Sequence, residues 1–210
     1  MSYDAVLFDW DGTLWDSVHT VFSIYKDMFS EFGLPPLEEK DFKNRFTSNY
    51  HKYYRLMGYK GSLEEADSKW IKMYEEREHL IKPVKGALDV VKLVKEKGLK
   101  TGIVSDGSDE RIRAEVKEHG FGPFIDVIVT DKDVPEFKPD PKCVAFGVKK
   151  LGVEPGNALY VGDMDSDIAA GKGAGLKVAG VLTGFHSRER LFISSPDYVL
   201  ESVLGVREII

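Results

Sequence analysis

Asp9 and Asp11 stand two positions apart and are followed at once by Gly12. Carboxylates at that range repel each other, and each draws stability from water. A buried setting supplies little water, so a cation or a proton must settle the conflict. A hard, oxygen-seeking ion such as Mg²⁺ would do so. A carboxylate is also a nucleophile that can attack phosphorus and form an aspartyl-phosphate. The second acid can then give and take protons if its surroundings lift its pKa. Gly12 lets the backbone turn and come close to a ligand. An acidic cap or turn at a strand end is an equally good use of Asp-Xaa-Asp taken alone.

Three later clusters add polar chemistry behind apolar runs. In Ser105-Asp106-Gly107 the hydroxyl can bond a phosphate oxygen, and backbone N–H groups from Gly107 onward can help at a helix start. Locally, Ser105 and Asp106 also suit simple capping. In Phe137-Lys138-Pro139-Asp140-Pro141 the prolines restrict the backbone around Lys138. Such a lysine suits a fixed positive charge that holds phosphate and offsets nearby carboxylates. In Gly162-Asp163-Met164-Asp165-Ser166-Asp167, acids recur every second residue. Asp9 alone cannot fill the oxygen shell of a Mg²⁺ ion, and an acid from a neighbouring strand end supplies a further ligand. The plainer use of these acids, for Asp165 above all, is the first turn of a helix.

In order and spacing, these segments resemble the four signatures of the haloacid dehalogenase-like hydrolase superfamily, particularly its phosphatases. The first runs Asp9-Trp10-Asp11-Gly12-Thr13-Leu14, the second holds Ser105, the third is Lys138-Pro139-Asp140-Pro141. The fourth runs from Gly162 to Asp167, with a tail from Ala170 to Gly175. The resemblance covers Asp4 to Val181. It implies that Asp9 is the nucleophile and Asp11 the acid and base, while Ser105 and Lys138 hold the transferring phosphoryl group. It implies a Mg²⁺ site made by Asp9, the Asp11 backbone carbonyl and Asp163, with Asp167 orienting the ion's water shell or Lys138. Asn often follows the second-signature hydroxyl in the family. Asp106 departs from that, so it either faces away from the anion or meets a substrate hydroxyl.

The activity so implied is a Mg²⁺-dependent phosphatase acting on a small phosphate monoester, similar overall to phosphoglycolate phosphatases. A phosphomutase of the β-phosphoglucomutase type shares every core residue and is the alternative. An inactive phosphate-binding module is a second alternative, although none of the core residues is missing. A dehalogenase lacks the acid that stands at Asp11.

The elements that must position these groups can be read from periodicity. Ala5 to Phe8 is an apolar run without alternation, which predicts a strand buried on both faces. Further strands are expected at Lys100 to Val104, Ile125 to Thr130, Ala158 to Val161, Lys177 to Val181 and Tyr198 to Leu200. Helices are expected at Ala87 to Lys97, after the cap Ser108, at Pro141 to Leu151 and at Ile168 to Ala174. This alternation predicts an α/β fold with a doubly wound parallel sheet, the Rossmann-like core of the family. No strand pattern interrupts Val18 to Ile81. Helical spacing there runs from Val18 to Phe32, then Leu37 to Phe46, Tyr50 to Leu56 and Leu63 to Leu80. The expected domains are a core of residues 1–16 and 83–210 and a helical insertion of residues 17–82, similar to the family's C1-type cap. Hinges are expected near Asp16-Ser17 and Lys82 to Gly86. The cap would close over Asp11, Gly12 and Thr13 and exclude water.

Substrate choice is expected to lie in the cap. Asn44 to Asn49 is a polar break between helices, and Arg45 within it can bind a carboxylate or a second phosphate. Lys43 and Lys52 occupy positions where a phosphonate-cleaving relative would need a Schiff-base lysine. Trp10 and Trp15 serve either core packing or the substrate entrance. The five histidines show no metal-ligand spacing and read as surface or helix residues.

Composition sets the outer bounds. The chain of 210 residues carries a formal net charge of −6, which disfavours nucleic acid or an anionic membrane as main partner. An anionic substrate then needs local positive charge, and the expected partner is a small phosphorylated metabolite. The lone cysteine, Cys143, excludes an internal disulfide and reads as a small buried helix residue. With no signal peptide and no apolar run of spanning length, the expectation is a cytoplasmic monomer or homodimer.

Overall fold

Ala5–Phe8 forms strand β1, and all four residues are buried. The chain, described here by a computed structural model over residues 3–210, then runs through four helices before a fifth leads it back to the sheet. The first four are α1 (Val18–Glu31), α2 (Glu39–Arg45), α3 (Tyr50–Leu56) and α4 (Leu63–Arg77). The rest alternates: α5 (Ala87–Glu96), β2 (Lys100–Val104), α6 (Asp109–Glu118), β3 (Val127–Val129), α7 (Lys142–Leu151), β4 (Ala158–Gly162), α8 (Asp165–Gly173), β5 (Lys177–Val181), α9 (Arg188–Ile193) and β6 (Tyr198–Leu200).

The six strands make one sheet in the order β3-β2-β1-β4-β5-β6, and every pairing is parallel. The chain winds outward from β1 through β2 to β3, then crosses back to β4 on the other side. A crevice therefore opens past the carboxyl ends of β1 and β4, where such sheets bind ligands. Register brings the polar segments level there. Phe8 lies opposite both Ile103 and Val161, so Asp9, Ser105 and Asp163 follow strands that end together.

Alternate residues of the strands face different layers. Val6, Phe8, Ile103, Leu159 and Val161 pack with α5 and α6 through Val90, Val91, Ile112 and Val116. Ala5, Leu7, Val104, Tyr160 and Val178 pack with α7 and α8 through Val144, Val148, Ile168 and Ala170. The first layer continues without a break into an aromatic cluster between α1, α2 and α3. Tyr25 meets Tyr53 edge-on at 5.1 Å between ring centroids, and Phe42 and Phe46 lie 4.8 Å apart. Such burial is worth roughly 1.5–3 kcal/mol per large side chain.

The two connections to the helical insertion run side by side. Trp15 and Pro83 form an antiparallel bridge. Asp16 N–H donates to the Lys82 carbonyl and Val84 N–H to the Leu14 carbonyl, both at 2.9 Å. Trp10 and Trp15 are buried and stack with centroids 5.7 Å apart, so they pack the core. Cys143 is buried on α7 as expected.

Several boundaries differ from those read off periodicity. The strand expected from Ile125 to Thr130 is confined to Val127–Val129. A 3-10 turn over Gly122–Phe124 precedes it, and Asp126 is spent on Thr101, exchanging backbone and side-chain bonds with it. The helix expected from Ile168 begins at Asp165, because Asp167 Oδ2 accepts the Met164 N–H at 2.9 Å and caps the turn. The pattern from Leu63 to Leu80 is α4 followed by a 3-10 turn, Glu78–Leu80. Helix α9 was not expected, since six residues give periodicity little to work on. No helix among the described residues is long and apolar enough to cross a membrane.

Candidate active site

Asp9 ends β1 with its N–H donated to the Val161 carbonyl at 2.8 Å, which ties it to β4. It is buried, and so is the lysine that meets it. Lys138 Nζ lies 2.6 Å from Asp9 Oδ1 and 2.7 Å from Asp167 Oδ1. It also donates to the Tyr160 hydroxyl at 3.2 Å. Burial works against the charge on Lys138, but Asp167 and Asp9 outweigh it and hold its pKa above the ordinary lysine range. Asp9 Oδ2 has no hydrogen-bond partner among the described residues.

Asp167 uses both oxygens on the protein. Oδ1 takes Lys138 and the Tyr160 hydroxyl (3.2 Å), while Oδ2 accepts the backbone N–H groups of Asp163 (3.2 Å) and Met164 (2.9 Å). Asp163 is wholly buried at the end of β4. Its Oδ1 accepts the Thr13 hydroxyl at 3.0 Å and its Oδ2 the Phe185 N–H at 2.7 Å. Burial, and then Asp167, push its pKa up to about 7. Two glycines make space for that carboxylate. A Cβ on Gly12, whose φ is +80°, would stand 2.5 Å from Asp163 Oδ2, and one on Gly184 would stand 2.0 Å from it. Neither position tolerates a side chain with Asp163 where it is.

Ser105 is buried, and its Oγ accepts the Gly107 N–H at 3.1 Å. Its own O–H proton has no acceptor among the described residues. Asp106 neither turns away nor stands idle: its Oδ1 accepts the Lys138 N–H at 3.1 Å, so it fixes the lysine loop. Burial raises its pKa, with Lys138 acting in the opposite direction.

Asp11 follows another course. Its carboxylate turns to α6, where Arg111 Nη2 lies 2.6 Å from Oδ2 and Nη1 lies 3.3 Å from Oδ1. Nothing in the sequence singles out Arg111. An arginine on an amphipathic helix carries no local mark of its partner.

A cleft of about 1240 Å³ opens between α2, α3 and their loop on one side and the sheet end on the other. Lys138 and Asp106 line it, and so do Arg45, His51 and Lys52 from the helical insertion. Arg45 is thus opposite the strand-end cluster and not part of it. Lys43 pairs with Glu39 on its own helix at 3.7 Å. The loop after α2 is fastened to the sheet side by groups that sequence reasoning misread. His186 is buried, not a surface residue. Its Nδ1 accepts the Asp165 N–H at 2.9 Å, and its Nε2 donates to the Phe46 carbonyl at 3.1 Å. Burial, reinforced by Arg190, lowers its pKa to about 4, so the ring is neutral near pH 7. Arg190 adds a bond to the same carbonyl at 2.6 Å, and Phe46 stacks on Phe185 at 4.8 Å. Nothing in the spacing of the histidines marks this role, because the partners come from the start of α8 and the loop after α2.

The donor set fits a hard divalent cation. Carboxylate oxygens of Asp9, Asp163 and Asp167 lie within 4.8 Å of one another, all buried. Three acids face one ammonium, which leaves surplus negative charge away from water. Burial foremost, then the neighbouring carboxylates, lift Asp9 well above the usual carboxylate range, against the pull of Lys138. An oxygen-only cluster with unspent negative charge suits a hard cation better than a soft one.

Known proteins resemble this chain over nearly its whole length. The profile described as "Haloacid dehalogenase-like hydrolase" matches residues 6–181. The chain belongs to that family. It is a hydrolase of the superfamily, and its relatives carry phosphatase names. A pyrophosphatase PpaX from Bacillus pumilus (strain SAFR-032) is 28% identical over 99% of this chain and 96% of its own length. Phosphoglycolate phosphatase 1 from Pseudomonas aeruginosa is 26% identical over 94% of this chain and 76% of its own. Among solved structures, a conserved haloacid dehalogenase-like protein of unknown function from Agrobacterium tumefaciens superposes with a TM-score of 0.86. That match spans 99% of this chain and 97% of the other at 21% identity, and it speaks for the fold of the superfamily.

Proposed function

We propose that the protein is a Mg²⁺-dependent phosphatase that hydrolyses a small phosphate monoester through an aspartyl-phosphate. The observation that carries this reading is Asp9 itself. One of its oxygens is fixed by Lys138 at 2.6 Å, and the other is left without a protein partner at a strand-end crevice. That is the arrangement a carboxylate nucleophile needs: held, oriented and not spent.

In this reading Asp9 Oδ2 attacks phosphorus as the bond to the leaving oxygen breaks. Asp11 gives a proton to that oxygen, then takes one from the water that cleaves the aspartyl-phosphate. Ser105 donates its free O–H to a phosphoryl oxygen, and Lys138 offers its ammonium to the same group. Asp9, Asp163 and the Asp11 carbonyl would hold Mg²⁺, which would supply positive charge to neutralise the phosphate. Asp167 keeps Lys138 and the turn after β4 in place. Residues 17–82 act as the cap, hinged at the paired connections around Trp15 and Pro83. Arg45 and the rest of the cap face of the cleft meet the part of the substrate beyond the phosphate. The setting is cytoplasmic and the partner a small phosphorylated metabolite.

The test is phosphate release from an aryl phosphate, with Mg²⁺ and with chelator, in the parent and in Asp9→Asn. Release that needs Mg²⁺ and is lost in the variant supports the reading; equal release by the variant overturns it. A panel with pyrophosphate, 2-phosphoglycolate and hexose phosphates then sorts substrates, and transfer to a second hydroxyl in place of free phosphate would mark a mutase.

A further inference from the structure

Arg111 is the most connected side chain that the mechanism above leaves unused. It grips both oxygens of Asp11, at 2.6 and 3.3 Å, so the carboxylate is fixed in rotation as well as in place. The same Nη1 donates to the Tyr74 hydroxyl at 3.2 Å, and the guanidinium carbon lies 5.7 Å from the Tyr74 ring centroid. Tyr74 belongs to α4 in the helical insertion, Arg111 to α6 beside the sheet, and Asp11 to the turn after β1. One side chain thus joins three segments that are far apart in the chain.

The guanidinium is itself anchored. Glu115, one turn along α6, has both oxygens 3.2 Å from Nη1 and shares that nitrogen's two hydrogens with Asp11 and Tyr74, and Trp10 Nε1 donates to Glu115 at 2.7 Å. Its path is kept open by Gly107, where a Cβ would stand 2.5 Å from Nη2. The Arg111 side chain is 23% exposed, so the pair is partly shielded from water.

We propose that Arg111 is a positioning residue that sets the orientation of the Asp11 carboxylate and links it to the placement of the cap through Tyr74. The proposal rests on the acid/base reading of Asp11. When the leaving oxygen departs, the P–O bond breaks, the Asp9–phosphorus bond forms and the proton passes from Asp11 to that oxygen. The carboxyl group must point at the oxygen for this, and a misaimed group costs roughly 10²-fold. A shift of α4 removes the Tyr74 hydroxyl from Arg111 while Glu115 keeps its hold, so Arg111 turns about its remaining anchor and carries Asp11 with it.

The experiment compares kcat/KM, with Mg²⁺, on an alkyl phosphate and on 2,4-dinitrophenyl phosphate, whose leaving group needs no proton. Arg111→Met is expected to lose roughly 10- to 100-fold on the alkyl ester and under about threefold on the dinitrophenyl ester. Arg111→Lys keeps the charge but not the two-pronged grip, and falls between parent and Met variant on the alkyl ester. Tyr74→Phe, which removes only the hydroxyl, repeats the selective pattern with a smaller loss. If Arg111→Met fails to fold, the Lys and Phe variants carry the comparison. Equal losses on both esters, or none, overturn the proposal. Asp11→Asn runs alongside: if it shows no leaving-group selectivity, the acid/base reading fails first. If it is selective and the Arg111 and Tyr74 variants are not, the link alone fails.

Discussion

Asp9 and Asp11 are separated by a single residue and live in opposite surroundings. The Asp9 side chain is 8% exposed and its cation is buried with it, whereas the Asp11 side chain is 28% exposed and pairs at a boundary. Every group that fixes Asp9 comes from the sheet and the elements packed on it: β4, the Lys138 loop and α8. Asp11 is fixed by an arginine that also touches the helical insertion. The difference teaches where rigidity and movement have been divided. In the proposed role a nucleophile gains from preorganisation, and the sheet with the loop and helix packed on it supplies that. On the proposed mechanism, an acid that serves a substrate held between the sheet and the helical insertion would gain from being tied to both parts.

Breaking the buried side should have the larger effect. Asp9→Asn is expected to reduce turnover by at least about 10⁴-fold with the fold retained, checked by phosphate release and circular dichroism. Next comes stability. Lys138→Met leaves buried carboxylates without their cation and should cost about 3–5 kcal/mol in urea denaturation. Arg111→Met, at a partly exposed pair, should cost about 1 kcal/mol. The reverse ranking would dissolve the contrast between the two aspartates.

The same contrast predicts a pH dependence. Burial and Asp167 raise Asp163 from an ordinary 3.8 to about 7 in the folded protein. Its contribution to stability without metal is therefore complete below pH 4 and lost as pH rises through about 7. A divalent cation needs the deprotonated form, so Mg²⁺ should raise the unfolding temperature more at pH 8 than at pH 6, as scanning fluorimetry would read. A shift of equal size at both values would remove Asp163 from the metal site.

A second pH effect is expected at the fastening between the loop after α2 and the sheet. His186 has its pKa lowered to about 4 from 6.5, so the stability it provides is present above 6.5 and lost as pH falls towards 4. The acid limb of stability against pH should be shallower in His186→Asn. An unchanged limb would mean that the buried ring carries no titration of consequence.

The sheet and most of the site were legible because they are written locally. A run such as Ala5 to Phe8 has no polar face, and an acid placed directly after it has few uses. The same holds for Gly162-Asp163 after β4. Boundaries were less legible wherever a side chain overrides propensity, as Asp167 does by starting α8 early and Asp126 does by spending itself on Thr101. His186 and Arg111 were not legible at all, since each looks locally like an ordinary polar residue beside or on a helix.

The sequence by itself determined the kinds of chemistry and their order along the chain: two acids, a hydroxyl, a lysine, and a last run of acids. Local periodicity determined that each would follow a strand. Only the tertiary structure decided the partners. Lys138 reaches Asp9 across 129 positions, Asp163 meets Thr13 across 150, and Arg111 reaches Asp11 across 100. Those pairings depend on β1 lying between β2 and β4, which brings three strand ends into one crevice. A charge far along the chain finds its counterion only when the sheet order places it there, and no local property of Asp11 distinguishes an arginine on α6 from any other cation.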